Sequence, residues 1–162
     1  DAVKLQELSE HAVARSRTVA DGPVLRQVDL SGTFDAVTFR LTDAGMTKVV
    51  SVTADGLDSS PDRFRLTEND TSPLLGFPHS GISLRSLKVG PAAVIRAAQE
   101  HWQECQPRAL SLVGENDDLT WYIFCNLPAG VVSGTVDPVT GDFTPSGAPP
   151  ALPPPTASLG GQ

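Results

Sequence analysis

The two cysteines, Cys105 and Cys125, are the residues whose type and spacing point most directly to chemistry. They lie 20 residues apart, and the histidine near them is His101. A structural zinc site needs four ligands, so this set is too small for one. Two interpretations stay open: a disulfide, or two separate thiols buried as small apolar side chains. A disulfide closing such a loop would stabilise the fold by roughly 3 kcal/mol and would favour an oxidising compartment.

The three histidines, His11, His79 and His101, form no recognisable catalytic or metal-binding motif. The sequence contains no H-x-x-x-H or C-x-x-C spacing, and no G-x-S-x-G segment surrounds a serine. We expect His11 and His101 at the polar edges of helices and His79 in a connecting segment. We therefore predict no catalytic residue, no metal and no cofactor.

Two clusters of acidic and amide side chains are the remaining candidates for a site. They are Asp55, Asp58 and Asp62 in one segment, and Glu115, Asn116, Asp117 and Asp118 in another. Neither cluster matches the D-x-[DN]-x-[DN]-G pattern of a calcium loop. The favoured interpretation is that they are solvated turn residues. A hydrolase that uses these acidic loops or His79 is the alternative.

The overall composition excludes some classes of protein. The chain has 162 residues and a formal net charge of −7, the wrong sign for a protein that binds a phosphate backbone. No apolar run approaches the ~18 residues of a membrane span. Residues 145–162 hold 6 prolines and no charged residue, so we expect a disordered, Pro-rich tail there.

The spacing of apolar residues predicts the elements that would position these side chains. A helix over residues 1–18 has a regularly spaced apolar face. Its members are Ala2, Leu5, Leu8 and Ala12. Three alternating segments, separated by short turns, then predict antiparallel strands. These segments are residues 24–30, 36–41 and 48–53.

The same order of elements is predicted again from about residue 90. A helix begins at Pro91, a residue suited to the first helical turn. Its apolar stripe is Ile95, Ala98, Trp102 and Cys105. Strands follow at residues 109–113, 119–127 and 131–137, and a hairpin is expected over residues 137–143. We therefore predict an α+β fold of two tandem α-β-β-β units, residues 1–66 and 90–144, with a linker at residues 67–89.

The second unit resembles the PepSY-type domain. The resemblance covers about residues 90–144 and rests on the strand from Trp121 to Phe124 and on the V-D-x-x-T-G hairpin from Val136 to Phe143. The first unit follows the same element order without the D-x-x-T-G form. The resemblance implies a small module of exported and cell-surface bacterial proteins. Such modules are proposed to bind or restrain peptidases or other proteins, and they share no set of catalytic residues.

The predicted helix and strand also place the cysteines and the aromatic residues. Cys105 shares the helical stripe, and Cys125 shares a strand face with Trp121, so packing of these faces would bring both thiols together. Tyr122 and Phe124 alternate onto the opposite face of the sheet. That face would either pack against the other unit or the tail, or bind a partner.

These observations favour a non-enzymatic, extracytoplasmic bacterial protein that binds a protein partner, either a peptidase or another cell-envelope protein. Tyr122 and Phe124 are the expected contact residues. Because the chain starts at Asp1 without an initiator methionine, we expect that an N-terminal signal has been removed. Besides the hydrolase, a structural spacer at the cell surface is an alternative. No nucleic-acid partner and no integral membrane span are expected.

Overall fold

In the computed structural model, which describes residues 1–69, 80–115 and 118–146, the strands form one antiparallel sheet with two helices on one side. The helices are α1 (Ala2–Ser16) and α2 (Pro91–His101), and a 3-10 turn spans Pro61–Arg63. The strands are β1 (Val24–Ser31), β2 (Val37–Thr42), β3 (Val49–Ala54), β4 (Arg65–Asn69), β5 (Gln106–Glu115), β6 (Asp118–Leu127), β7 (Gly130–Val136) and β8 (Phe143–Pro145).

The sheet has the strand order β4-β3-β2-β1-β5-β6-β7-β8. Each half of the chain contributes four neighbouring strands, and the halves meet where β1 pairs antiparallel with β5. Asp29 lies opposite Ser111 at the middle of this pairing, which runs from Gln27 to Ser31 on β1. The join between the halves is therefore a backbone ladder inside the sheet.

The predicted α+β fold of two tandem α-β-β-β units is wrong. Because β1 and β5 pair directly, neither half closes a sheet of its own, and the apolar side chains beneath both helices form one cluster. A free strand edge carries unpaired N–H and C=O groups, and two such edges satisfy each other when they pair. Alternation within a single strand carries no information about this pairing.

Several element boundaries also differ from the predicted ones. α2 ends at His101, so Trp102 and Cys105 lie beyond the helix and not on its stripe. The buried positions of α2 are Pro91, Val94 and Ala98. β4 extends into the segment assigned to the linker and pairs with β3. Pro145, assigned to the tail, ends β8, and residues 147–162 lie outside the described residues.

The core lies between the helices and the sheet. The stripe predicted for the first helix is confirmed at Leu5, Leu8 and Ala12, all of which are buried. The largest side chains of the sheet on this side include Phe39 and Trp121, which are fully buried. The indole Nε1 of Trp121 donates a hydrogen bond to the carbonyl of Val89 at 2.9 Å. The polar atom of this large side chain is thus satisfied inside the core.

The two helices are also joined at their N-terminal ends. Asp1 precedes α1, but its carboxylate accepts a hydrogen bond from the backbone N–H of Ala92 in the first turn of α2, at 2.9 Å. A carboxylate at this place satisfies a free N–H and interacts favourably with the helix dipole. A Cβ on Gly90 would lie 1.9 Å from Asp1 Oδ1. Glycine at position 90 therefore permits the contact.

A β-bulge interrupts the regular alternation of side chains in β1. The pairing of β1 with β2 shifts between Leu25 and Gln27, which leaves Arg26 as the extra residue. Arg26 is 7% exposed, and its Nε donates to Thr42 Oγ1 at 3.0 Å. Burial lowers the pKa of the Arg26 guanidinium. The bulge brings Leu25 and Val28 to the same, helix-covered side.

Candidate functional site

The face of the sheet turned away from the helices, called the open face below, is the candidate functional site. Alternation along five central strands places small, polar and aromatic side chains there. They include Gln27, Asp29, Thr38, Arg40, Ser111, Val113, Thr120, Tyr122, Phe124 and Thr135. All ten are partly exposed. Within the described residues, both helices lie on the other side of the sheet.

A hydrogen-bond network around Asp29 lies at the centre of the open face. Its Oδ1 accepts hydrogen bonds from Gln27 Nε2 and Ser111 Oγ, both at 2.7 Å. Its Oδ2 accepts from Arg40 Nε at 2.5 Å. The side chains of Asp29 and Arg40 are 25% and 39% exposed. The network holds Arg40 in place and ties β1 and β2 of the first half to β5 of the second.

This network was not among the sites predicted from the sequence. Asp29 and Arg40 face each other diagonally across the β1–β2 hairpin, and their opposite charges were the available signal. Ser111 lies 82 residues further along the chain. Its contact with Asp29 follows only from the pairing of β1 with β5.

Tyr122 and Phe124 lie on the open face, as alternation predicts, while Trp121 and Ile123 are buried on the helix side. Their neighbours across the strands are all short side chains: Ala109, Ser111, Ser133 and Thr135. The two halves of the chain join edge to edge through β1 and β5. In the part of the chain that the structure describes, the two halves therefore meet side by side in one sheet and do not form two stacked sheets.

Cys105 and Cys125 are joined by a disulfide on the opposite, helix-covered side. Their Cα atoms are 5.2 Å apart, and the residues are 4% and 0% exposed. Cys125 lies on β6, and Cys105 immediately precedes β5, the strand that pairs with β6. The bridge therefore fastens the entry of β5 to its neighbour, beneath the strand that carries Tyr122 and Phe124.

The first acidic cluster does not converge on one site. Asp55 forms an ion pair with Arg65, and Asp58 forms one with Lys4. Asp62 is exposed in the 3-10 turn. Each of the two ion pairs is exposed to solvent and contributes little to stability.

The second acidic cluster is described only at its two ends. Asn116, Asp117 and His79 lie outside the described residues, and only the backbone of Glu115 is described. Asp118 is exposed at the start of β6.

The two described histidines are both exposed. His11 lies on α1. His101 ends α2, and its ring centroid lies 5.0 Å from that of Trp102 and 5.3 Å from that of Phe143. Across the described ranges, no three His, Cys, Asp or Glu side chains come together as a metal site would require.

A groove of about 830 Å³ lies at one end of the open face. Thr120 and Thr135 of the open face form part of its wall, together with residues 81–83 and the β7–β8 hairpin. Three carboxylates also line it, those of Asp118, Asp137 and Asp142. The groove is therefore acidic, and it is continuous with the part of the open face that carries Tyr122.

The hairpin predicted over residues 137–143 forms the far wall of this groove. Asp137 Oδ1 accepts hydrogen bonds from the backbone N–H groups of Val139 and Thr140, at 2.8 and 2.9 Å. These bonds lower the pKa of the Asp137 carboxyl because they stabilise its charged form. Gly141 closes the turn with a φ of +83°, where a side chain would be strained.

Neither helix in the described residues combines the length and the apolar character that crossing a bilayer requires.

The fold that these elements define, one antiparallel sheet with both helices on one side, has a counterpart among solved structures. It is similar to a crystal structure from Clostridium difficile 630 described as a putative lipoprotein, with a TM-score of 0.58 and 12% sequence identity. The likeness covers 85% of this chain and 89% of that one, and at this identity it shows the fold alone. No family model and no curated protein match the chain. The PepSY resemblance stays a prediction.

Proposed function

We propose that this protein is a non-enzymatic, extracytoplasmic binding module whose open face, centred on Tyr122 and Phe124, receives a protein partner. The asymmetry of the sheet carries the proposal. The helices and the disulfide lie on one face, whereas two large aromatic side chains stay partly exposed on the other. Aromatic residues are enriched in protein–protein interfaces, where they supply apolar contact area at low entropic cost.

The surroundings of these aromatic residues suit a broad protein contact. Because their cross-strand neighbours are short, the rings of Tyr122 and Phe124 are the largest side chains in their part of the face. Such residues act as anchors when a partner excludes water around them. The nearby Asp29–Arg40 pair supplies charged groups whose positions are already fixed by hydrogen bonds. Fixed polar groups favour one orientation of a partner over others.

Two observations support an extracytoplasmic location. Disulfides such as Cys105–Cys125 persist mainly in oxidising compartments. The similar structure from Clostridium difficile 630 is described as a putative lipoprotein.

The resemblance of residues 90–144 to PepSY-type domains favours a peptidase or another cell-envelope protein as the partner. Inhibition of a peptidase would then come from steric blocking by the open face, without a covalent step. This finer proposal predicts that the identified partner, if it is a peptidase, loses activity on a protein substrate when this chain is added.

Site-specific photo-crosslinking tests the binding proposal. A photoreactive phenylalanine analogue replaces Tyr122, and in a matched protein it replaces Val3, an apolar residue of α1 that is 64% exposed on the helix side. Both proteins are irradiated with an envelope extract of the organism that makes this chain. We expect a discrete adduct from position 122 that position 3 does not give.

The protein in that adduct is then purified, and its affinity is measured. Tyr122→Ser with Phe124→Ser should weaken binding by at least about tenfold, the size expected when two interface anchors are truncated, whereas Val3→Ser should leave it unchanged. The proposal fails if both positions give the same adducts, or if the position-122 adduct lies within the chain or with a second copy. It also fails if the double variant binds as well as the unchanged protein.

A further inference from the structure

The groove at the acidic end of the open face differs in charge from the rest of that face. Elsewhere on the sheet, Arg40 pairs with Asp29 and Arg65 pairs with Asp55. In the groove, the three aspartates named above meet no such partner, because none of its described lining residues is a lysine, arginine or histidine. The groove therefore holds an unbalanced share of the net charge of −7.

The groove also contains apolar surface beside its carboxylates. Ile82, Leu119 and Val139 line it, and Val139 is 47% exposed. An exposed branched side chain next to ionised groups suits a ligand that has both apolar and cationic parts. A free metal ion does not need the apolar part, and the described carboxylates do not converge as metal ligands would.

The walls of the groove are fixed by backbone hydrogen bonds. The carbonyl of Pro138 in the hairpin accepts from the N–H groups of Lys88 and Val89, at 3.0 and 2.9 Å. On the other side, the N–H of Ile82 donates to the carbonyl of Leu25 in β1 at 2.8 Å. Because one wall is bonded to the segment before α2 and the other to β1, little ordering would be needed when a ligand enters.

We propose that this groove receives a cationic segment of the protein partner, in which lysine or arginine alternates with apolar residues, while Tyr122 and Phe124 contact the adjoining part of that partner. This inference rests on the proposed function, since Thr135, which lines the groove, lies directly opposite Tyr122 in the strand pairing. The cations face Asp118, Asp137 and Asp142, and the apolar side chains contact Ile82 and Val139.

A peptide titration followed by the backbone amide NMR signals tests this inference. The probe is a capped hexapeptide of alternating lysine and leucine, and the comparison peptide has glutamate in place of lysine. At low ionic strength we expect saturable shifts at Ile82, Thr120 and Val139 with the lysine peptide, and none with the glutamate peptide. Added salt should weaken binding, because the charges are exposed to solvent.

Two variants and a matched control separate a specific groove from general attraction to an acidic protein. Asp118→Asn, Asp137→Asn and Asp142→Asn together should weaken binding about tenfold, the sum expected for three exposed charge pairs. The control, with Glu7→Gln, Glu10→Gln and Glu100→Gln on the helices, changes the net charge equally and should leave the affinity within about twofold. Asp118→Lys with Asp142→Lys leaves the Asp137 turn intact and should abolish binding.

Several outcomes would overturn the inference: no saturable shift, equal binding of the glutamate peptide, shifts spread over the helices, or equal loss in the control. Its failure is distinguishable from failure of the proposed function. If position 122 still gives its adduct while the peptides do not bind, the inference that the groove receives a cationic segment is wrong, and the proposal that the open face binds a partner is retained. If the lysine peptide binds but position 122 gives no adduct, the proposed function is wrong, although the groove still binds cationic peptides.

Discussion

The two faces of the sheet are built from alternate residues of the same strands, yet they differ in chemistry. On the helix side, Trp121 and Ile123 are fully buried in one apolar cluster, and the disulfide lies beneath the same strand. On the open face, Tyr122 and Phe124 stay partly exposed among short side chains. The difference indicates that most of the stability comes from the helix-covered face, where the apolar side chains are removed from water.

Removing the largest side chain of the covered face should have the largest effect. Trp121→Ala should lower the free energy of unfolding by about 3–5 kcal/mol, because it leaves a cavity and an unpaired carbonyl at Val89. Denaturant unfolding monitored by circular dichroism measures the change. Tyr122→Ala, the next residue on the same strand, is the matched control and should cost clearly less, because its side chain is only partly buried. Equal losses at the two positions would contradict the contrast between the faces.

Removing the disulfide should have the next largest effect. Cys105→Ala with Cys125→Ala should lower the free energy of unfolding by about 3 kcal/mol, since the bridge closes a sequence separation of 20 residues in the unfolded chain. A reductant should destabilise the unchanged protein by a similar amount and leave the double variant unaffected. If reductant does not shift the unfolding transition, the bridge does not carry the stability assigned to it.

The network on the open face should matter less than the core. Asp29→Ala removes the acceptor for Arg40, Gln27 and Ser111, and we expect a loss of about 1–2 kcal/mol. Thr38→Ala, at the facing position on β2, is the control and should cost less. If Asp29→Ala lowered the free energy of unfolding as much as Trp121→Ala, the open face would contribute to stability as much as the helix-covered face does.

The Asp137 turn should add a small, pH-dependent contribution. Because hydrogen bonds lower its pKa in the folded protein, the carboxylate stabilises the fold above the pKa of about 3.9 that an unfolded aspartate has. That contribution is lost as the pH falls through the lower folded value. The stability difference between the unchanged protein and Asp137→Asn should therefore be constant above pH ~5 and vanish in stronger acid. A difference that persists unchanged in acid would show that the charge of Asp137 is not involved.

The face on which a side chain lies could be predicted from the sequence, whereas the pairing of distant strands could not. Alternation places Trp121 and Tyr122 on opposite faces of the sheet, because the face on which a side chain lies depends only on its position along its own strand. Helical spacing likewise identifies Leu5, Leu8 and Ala12. The pairing of β1 with β5 depends on two edges about 80 residues apart, so neither the single sheet nor the Asp29–Ser111 contact could be predicted. The groove depends on the same pairing, because residues 81–83, which line it, are held beside β5 by the hydrogen bond from Ile82 to Leu25 of β1.

We propose that the open face binds a protein partner and that the helix-covered face maintains the fold. The most direct test is the affinity of the Tyr122→Ser, Phe124→Ser variant for the partner found by crosslinking, measured on protein whose free energy of unfolding is also determined. We expect binding to weaken at least about tenfold, while the free energy of unfolding falls by clearly less than in Trp121→Ala. Unchanged affinity, or a stability loss as large as that of Trp121→Ala, would contradict the proposal.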